Sequence, residues 1–147
     1  MSFLESLYKE VILDHYKRPR NRGSLDPAIE QEGLNPSCGD ELQLFLQVKN
    51  GHVHDVKFTG VGCAISQSSA SLMTQAIMGK PLEEVRQISA KFKAMIHGEE
   101  PDESLGDLKL LQGISKLHAR VKCATLAWVT LEQALSKVDE ANEKASA

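Results

Sequence analysis

The chain has 147 residues, of which 41% are hydrophobic and 25% charged, a globular balance that predicts one domain spanning residues 1–147. A core of this size folds without needing a disulfide framework or a structural metal. The formal charge of −3 argues against a protein that coats nucleic acid. No apolar run approaches the roughly 20 residues of a membrane span, and residues 1–5 lack a signal-peptide pattern, so the sequence predicts a cytoplasmic protein without membrane contact.

The first predicted element is a helix that begins at a Ser-x-x-Glu capping box, residues 2–5. Apolar and aromatic side chains then recur at the spacing of one buried helical stripe, and Pro19 ends the pattern. The members of the stripe are Leu4, Leu7, Tyr8, Val11 and His15. Residues 19–36 have little periodicity and are predicted to form a loop or a short edge strand.

A β-hairpin is predicted over residues 41–49 and 52–58. Apolar and polar residues alternate along the first strand, with Phe45 as the exception. Asn50-Gly51 tolerates positive φ at both central positions of a type I′ turn, which folds the chain back into the second strand. Val53 is out of phase with Val56 and Phe58, which indicates a bulge or a mixed environment.

Three more helices follow the hairpin. One covers residues 66–78, the next begins at Leu82 and ends at Gly98, and the last opens at Cys123. A polar loop at 99–104 and a short apolar stretch at 105–111 separate the last two, and residues 139–147 are predicted to fray. The predicted fold class is α+β, a small antiparallel sheet with helices packed on one face.

Each of the three cysteines lies at a junction between predicted elements. Antiparallel pairing places Cys38, before the first hairpin strand, beside Cys63, after the second, and Asp40 projects to the same side as Cys38. If Cys123 reaches this rim, three sulfurs and one oxygen suit zinc or an iron-sulfur cluster. Buried structural cysteines are the alternative, because the sequence contains no Cys-x-x-Cys pair.

Positive charge near two of the cysteines favours the thiolate form. Cys63 and Cys123 each precede a predicted helix, whose amino-terminal partial charge stabilises an anion. Arg120 and Lys122 add charge beside Cys123. Such thiolates are nucleophiles as well as metal ligands.

Four blocks of the chain resemble signature motifs of the SufU branch of the NifU/IscU-like iron-sulfur assembly proteins. The blocks are Leu7-Tyr8 with 14–21, Asn35-Pro36-Ser37-Cys38-Gly39-Asp40, residues 60–73 around Cys63, and residues 120–128 around Cys123. The resemblance implies one zinc ion bound by Cys38, Asp40, Cys63 and Cys123.

The same resemblance implies a partner and a reaction. A pyridoxal-phosphate cysteine desulfurase of the SufS type would supply persulfide sulfur, and downstream iron-sulfur assembly proteins would follow in the route. Cys38 would leave zinc and accept the sulfur, with Arg120 stabilising the anionic sulfur or holding the rim in place.

The IscU branch of the family implies an alternative function. Its members build a [2Fe-2S] cluster on the same three cysteines and Asp, and typically carry His immediately before the third cysteine. Here that position is Lys122, and the long stretch between Cys63 and Cys123 resembles the insertion of the SufU branch. Both features favour sulfur transfer over scaffolding. A structural zinc domain and a cysteine hydrolase are weaker alternatives.

Three further features carry weaker interpretations. His118 stands where the SufU branch leads us to expect proline, and a neutral surface substitution is favoured over a spare ligand or proton carrier. His52 and His54 are interpreted as surface histidines rather than a metal pair. The basic stretch at 17–22 is interpreted as a docking surface for an acidic partner rather than a phosphate site.

Overall fold

The computed structural model describes residues 3–146, with the side chains of residue 6 and of residues 8–141. Within this range the chain forms three strands, four α-helices and two 3-10 segments. In chain order they are α1 Phe3–Lys17, β1 Ile29–Asn35, β2 Asp40–Lys49, β3 His52–Val61, α2 Ala64–Ile77, α3 Leu82–Ile96, the 3-10 segments Glu103–Lys116 and His118–Arg120, and α4 Val121–Ser146.

The three strands form an antiparallel sheet in the order β1-β2-β3, which confirms the α+β prediction. The edge strand predicted within residues 19–36 is β1. Asn50 and Gly51 have φ values of +54° and +74°, as a type I′ turn requires. The phase change at Val53 is a bulge, because Val48 pairs with Val53 while Gln47 pairs with Asp55.

The two faces of β2 have different surroundings. Leu42, Leu44 and Leu46 are buried in the central core. Phe45 points to the opposite face and is nevertheless only 8% exposed. Gln47 on that outer face donates to the carbonyl of Pro27 over 2.8 Å, so the loop before β1 lies against this side of the sheet. Phe45 is thus buried on the face of β2 that also carries the Gln47 contact with this loop.

Helix α1 follows the predicted stripe where its side chains are described. Tyr8 and Val11 pack against the core, and His15 is buried. Ile12 is buried as well, although the stripe did not include it. The capping box at residues 2–5, and the stripe positions Leu4 and Leu7, lie outside the described residues and side chains.

Helix α2 begins two residues earlier than predicted, because Cys63 acts as its N-cap. The Cys63 side chain accepts a hydrogen bond from the amide of Ser66. The helix ends at Ile77, one residue before the predicted end at Met78, and Gly79 follows with a φ of +77°, as a helix-closing glycine requires. The hydroxyl of Ser69 in α2 donates to the carbonyl of Ala124 over 2.7 Å, which ties α2 to the start of α4.

The second half of the chain follows the prediction with shifted boundaries. Helix α3 ends at Ile96, and the apolar stretch at 105–111 lies within the 3-10 segment Glu103–Lys116, which is broken at Gly106. This segment includes residues 103–104 of the predicted polar loop. Helix α4 begins two residues before Cys123 and continues to Ser146, so the fraying of residues 139–147 stays a prediction.

Helix α4 joins the sheet to the rest of the helical layer. It packs against β1 and β2, where a side chain on Gly33 would overlap the hydroxyl of Thr130. Trp128 stacks on Phe92 of α3 with ring centroids 4.6 Å apart, and its indole N–H donates to Ser69. Among the described residues, no helix has both the length and the apolar character to cross a membrane.

Candidate metal site

The sheet and two helix starts bring the predicted ligands to one rim. Cys38 lies in the turn between β1 and β2, and Asp40 is the first residue of β2. Strand β3 ends at Val61, which pairs with Glu41 of β2, and Cys63 lies two residues after Val61. Cys123 lies in the first turn of α4. The antiparallel hairpin therefore places the start of β2 beside the end of β3, as the sequence predicted.

Three of the four predicted ligands form one cluster. Three ligand atoms lie within 4.8 Å of one another: the sulfurs of Cys38 and Cys123 and one carboxylate oxygen of Asp40. The two sulfurs are 3.3 Å apart, and both thiols are free. Bonds of about 2.0–2.3 Å to zinc place tetrahedral ligand atoms roughly 3.5 Å apart, so small side-chain shifts would complete a coordination shell.

Cys63 lies next to this cluster and outside the group of three. Its sulfur accepts from the Ser66 amide over 3.5 Å, and its backbone N–H donates to Asp40 Oδ1 over 3.0 Å. Its thiol also acts electrostatically on Cys123. Cys63 is therefore adjacent to the cluster of three through the contact of its amide with Asp40.

Asp40 is buried and accepts hydrogen bonds on both carboxylate oxygens. Oδ1 accepts from the Cys63 amide and from the Ser66 hydroxyl, and Oδ2 accepts from the side chain of Asn35 over 3.3 Å. A Cβ on Gly62 would lie 2.5 Å from Asp40 Oδ1, so only glycine fits beside this carboxylate. The close approach requires Gly62 for space and not for an unusual φ.

Burial changes the protonation of the cluster in a way the sequence did not predict. Burial raises the pKa of the Cys123 thiol, and hydrogen bonds with Cys38 and Asp40 act in the same direction. The expected helix-start effect on Cys123 is therefore outweighed by its surroundings. A bound divalent cation reverses this balance, because coordinated thiols lose their protons.

Arg120 supplies the positive charge that the sequence placed at this rim. It is exposed in the 3-10 segment His118–Arg120, and a hydrogen bond with Cys123, together with the charges of Cys63 and Cys38, raises the pKa of its guanidinium. Lys122 and His118 are exposed, and neither belongs to the cluster of three ligands. An exposed cation beside half-buried thiols stabilises negative charge on sulfur.

Cys38 is the most accessible of the clustered ligands. Its side chain is partly exposed, whereas Asp40 and Cys123 are 1% and 0% exposed. Besides Cys123, its thiol contacts the carbonyl of Ala119 at 4.0 Å, a weak interaction. Cys38 and Cys63 are thus the partly exposed thiols of the rim, whereas Cys123 is buried.

Two candidate features of the sequence do not join the site. His52 and His54 are exposed, and neither belongs to the group of three metal-ligating side chains. In the basic stretch at 17–22, Arg18 and Arg20 both form ion pairs with Asp14. These pairs neutralise part of the charge that the docking interpretation requires, and that interpretation stays a prediction.

Asn35 and Ser66 are the site residues that sequence reasoning did not single out. Both lay inside quoted motifs, but neither is a metal ligand, and their hydrogen bonds to Asp40 cross between β1, β2 and α2. Once the structure shows that Asp40 is buried, donors to its carboxylate are expected, because a buried charged group needs hydrogen-bond partners.

Known proteins with related sequences carry names that fit this geometry. The family model for the NifU-like N terminal domain matches residues 7–145. The chain is 48% identical over 147 residues to the zinc-dependent sulfurtransferase SufU of Bacillus subtilis, covering 97% of this chain and 100% of that protein. It is 46% identical over 134 residues to the iron-sulfur cluster assembly scaffold protein IscU of Thermotoga maritima, covering 90% of this chain and 94% of that protein.

The solved structures agree with the sequence relatives. A SUF-system iron-sulfur cluster assembly scaffold protein from Fervidobacterium islandicum superposes with a TM-score of 0.84 at 38% identity, covering 89% of this chain and 98% of that chain. The similarity in sequence and in fold thus extends over almost the whole chain. This chain belongs to the NifU-like N-terminal domain family.

Proposed function

We propose that this protein is a zinc-dependent sulfurtransferase that accepts persulfide sulfur from a pyridoxal-phosphate cysteine desulfurase of the SufS type. The observation that carries the proposal is that the ligands at this rim differ in their exposure to solvent. Asp40 and Cys123 are buried, whereas the thiol of Cys38 is partly exposed. Cys63 is also partly exposed, but its sulfur caps helix α2. The relative named as a zinc-dependent sulfurtransferase supports this assignment.

The donor set fits zinc. Cys38, Asp40 and Cys123 are the ligands already together, and Cys63 is the adjacent fourth. When bound, zinc would keep these thiols deprotonated near neutral pH. The free thiols also favour a reducing compartment, and we therefore assign the reaction to the cytoplasm.

The transfer itself needs one mobile nucleophile. The Cys38 thiolate attacks the outer sulfur of the desulfurase persulfide, forming a new S–S bond on Cys38. The S–S bond within the donor persulfide breaks, and its electron pair stays on the desulfurase cysteine, which leaves as a thiolate. Arg120 lies beside the three thiols and stabilises the anionic sulfur. The sulfur then passes to downstream iron-sulfur assembly proteins.

A cluster scaffold is the second candidate, supported by a specific observation. The relative named IscU from Thermotoga maritima is 46% identical and covers 90% of this chain, and three thiols with one carboxylate could also hold a [2Fe-2S] cargo. The exposed Lys122 stands next to Cys123 and cannot serve as a ligand while protonated.

One anaerobic incubation separates the two functions. The zinc-loaded protein is mixed with its desulfurase, cysteine and ferrous iron, while visible absorbance, bound zinc and desulfurase turnover are followed together. Retained zinc, no protein-bound colour and faster turnover are expected for a sulfur acceptor. Loss of zinc with growth of a brown chromophore on the protein would establish the scaffold instead. The Ser37→Ala variant, altered beside Cys38, is the control and should behave as the unaltered protein does.

A further inference from the structure

Asn35 makes contacts to three of the four predicted ligands. It is the last residue of β1, is 6% exposed, and pairs in register with Asp40. Its side-chain nitrogen donates to Asp40 Oδ2 over 3.3 Å and to the sulfur of Cys123 over 3.8 Å. Its carbonyl accepts from the amide of Cys38 over 3.2 Å, which closes the turn that carries that thiol.

The amide group suits both side-chain partners at once. An Asn side chain has two N–H donors, so it can serve a carboxylate and a sulfur together. A carboxylate at position 35 would repel Asp40, and an apolar side chain there would leave Oδ2 without this donor.

The other contacts of Asp40 show why this donor matters. The amide of Cys63 and the hydroxyl of Ser66 hold Oδ1 from the α2 side. Asn35 holds Oδ2 from the β1 side. The orientation of the carboxylate plane therefore depends on donors from both sides.

We propose that Asn35 is the positioning residue of this metal site, fixing Asp40 and Cys123 relative to each other so that they remain bound while Cys38 reacts. The inference rests on the proposed zinc-dependent function. Partners that orient metal ligands typically change metal affinity by about 10–100-fold when removed. A purely structural Asn35 would instead affect folding stability and leave the metal geometry unchanged.

The test uses the full-length protein and measures the metal without the desulfurase. Asn35→Leu removes both donors and keeps the branched shape of the side chain, and Asn35→Ser keeps one donor. Gln31→Ala is the matched control, since Gln31 lies on the same strand and face and its side chain donates only to the neighbouring Glu32 carbonyl. Zinc affinity is measured by competition with a chromogenic chelator, and ligand geometry by the absorption spectrum of the Co²⁺-substituted protein.

We expect Asn35→Leu to bind zinc about 10–100-fold more weakly and to change the Co²⁺ spectrum, with Asn35→Ser between it and the unaltered protein. The zinc affinity of Gln31→Ala should stay within about twofold of that of the unaltered protein. Zinc affinity of Asn35→Leu within threefold of the unaltered protein, with an identical Co²⁺ spectrum, would overturn the proposal. If Asn35→Leu does not fold, judged by the fluorescence of Trp128, the same criterion applies to Asn35→Ser with a twofold limit.

Failure of the positioning role and failure of the proposed function have different signatures. An unaltered protein that binds zinc tightly but accepts no sulfur contradicts the sulfurtransferase, whatever the Asn35 variants do. Normal zinc binding by the Asn35 variants, in a protein that accepts sulfur, contradicts only the positioning role.

Discussion

Two polar clusters border α2, and they are stabilised in different ways. In the cluster at the middle of the helix, the Ser71 hydroxyl pairs with His15 Nδ1 at 2.7 Å and accepts from the Arg20 amide at 2.8 Å. At the amino-terminal end, the thiols of Cys38 and Cys123 contact each other at 3.3 Å, and burial raises the pKa of Cys123. The first cluster satisfies its own polar atoms, whereas the second has thiols that a cation would bind. Buried polar groups thus serve structure in one place and chemistry in the other.

The largest expected effect lies in the site cluster. Cys38→Ala should reduce sulfur acceptance by on the order of 100-fold or more, because Cys38 is the nucleophile of the proposed transfer. The measurement is mass spectrometry of the persulfidated protein after incubation with desulfurase and cysteine. The overall fold should be retained, since Cys38 lies in an exposed turn. Acceptance at the unaltered rate would remove Cys38 from the reaction.

A methyl group at Gly62 should disrupt the site next most strongly. The added Cβ would lie 2.5 Å from Asp40 Oδ1 and 2.6 Å from the Ser66 hydroxyl, so the carboxylate must move. We expect Gly62→Ala to weaken zinc binding by about tenfold or more, measured by chelator competition. Gly113→Ala is the matched control, because a Cβ there meets nothing within 4 Å. Equal zinc affinity in both variants would show that Asp40 does not hold the metal.

Removing the hydroxyl of Ser71 should lower the stability of the protein and leave its zinc affinity unchanged. Ser71→Ala leaves His15 Nδ1 and the Arg20 amide without their partner and should lower the free energy of unfolding by about 1–3 kcal/mol. Zinc affinity should not change. Ser68→Ala is the control, since its hydroxyl donates to Ile65 of the same helix. Urea unfolding measures the stability, and a lowered zinc affinity in Ser71→Ala would mean that the two clusters are coupled.

The smallest effect is a pH dependence of the structural cluster. Burial, and to a lesser degree the charge of Arg20, lowers the pKa of His15, while Asp14 and Asp107 oppose the shift. The unfolded chain therefore binds a proton near pH 6.5 that the folded protein binds only at lower pH. Stability should fall as the pH drops below about 6.5 and level off below the folded pKa.

The His15→Gln variant isolates this contribution, because glutamine does not titrate. The unfolding free energies of the unaltered protein and of His15→Gln are measured from pH 8 to pH 5. Below about pH 6.5 the unaltered protein should lose stability relative to His15→Gln. Each unit of pKa difference corresponds to about 1.4 kcal/mol. A difference that is flat with pH would show that His15 titrates alike in both states.

Much of the fold was predictable because local patterns set it. Alternation along β2 and the Asn50-Gly51 turn predicted the hairpin, and the phase of Val53 indicated the bulge. The predicted starts of α2 and α4 were each two residues late, because the cap of a helix depends on its contacts rather than on the period of its apolar residues. Phe45 was an exception in sequence, and the structure buries it on the face opposite Leu44 and Leu46.

The sequence by itself determined which residues could carry chemistry: three cysteines and an aspartate at element junctions, in motifs that identify the family. Antiparallel pairing even predicted that Cys38, Asp40 and Cys63 share one end of the sheet. Only the tertiary structure decided how these groups differ. It buries Asp40 and Cys123, leaves Cys38 accessible, and brings Asn35 and Ser66 to the carboxylate. Burial and hydrogen bonding depend on which distant segments pack together, and no local pattern contains that information.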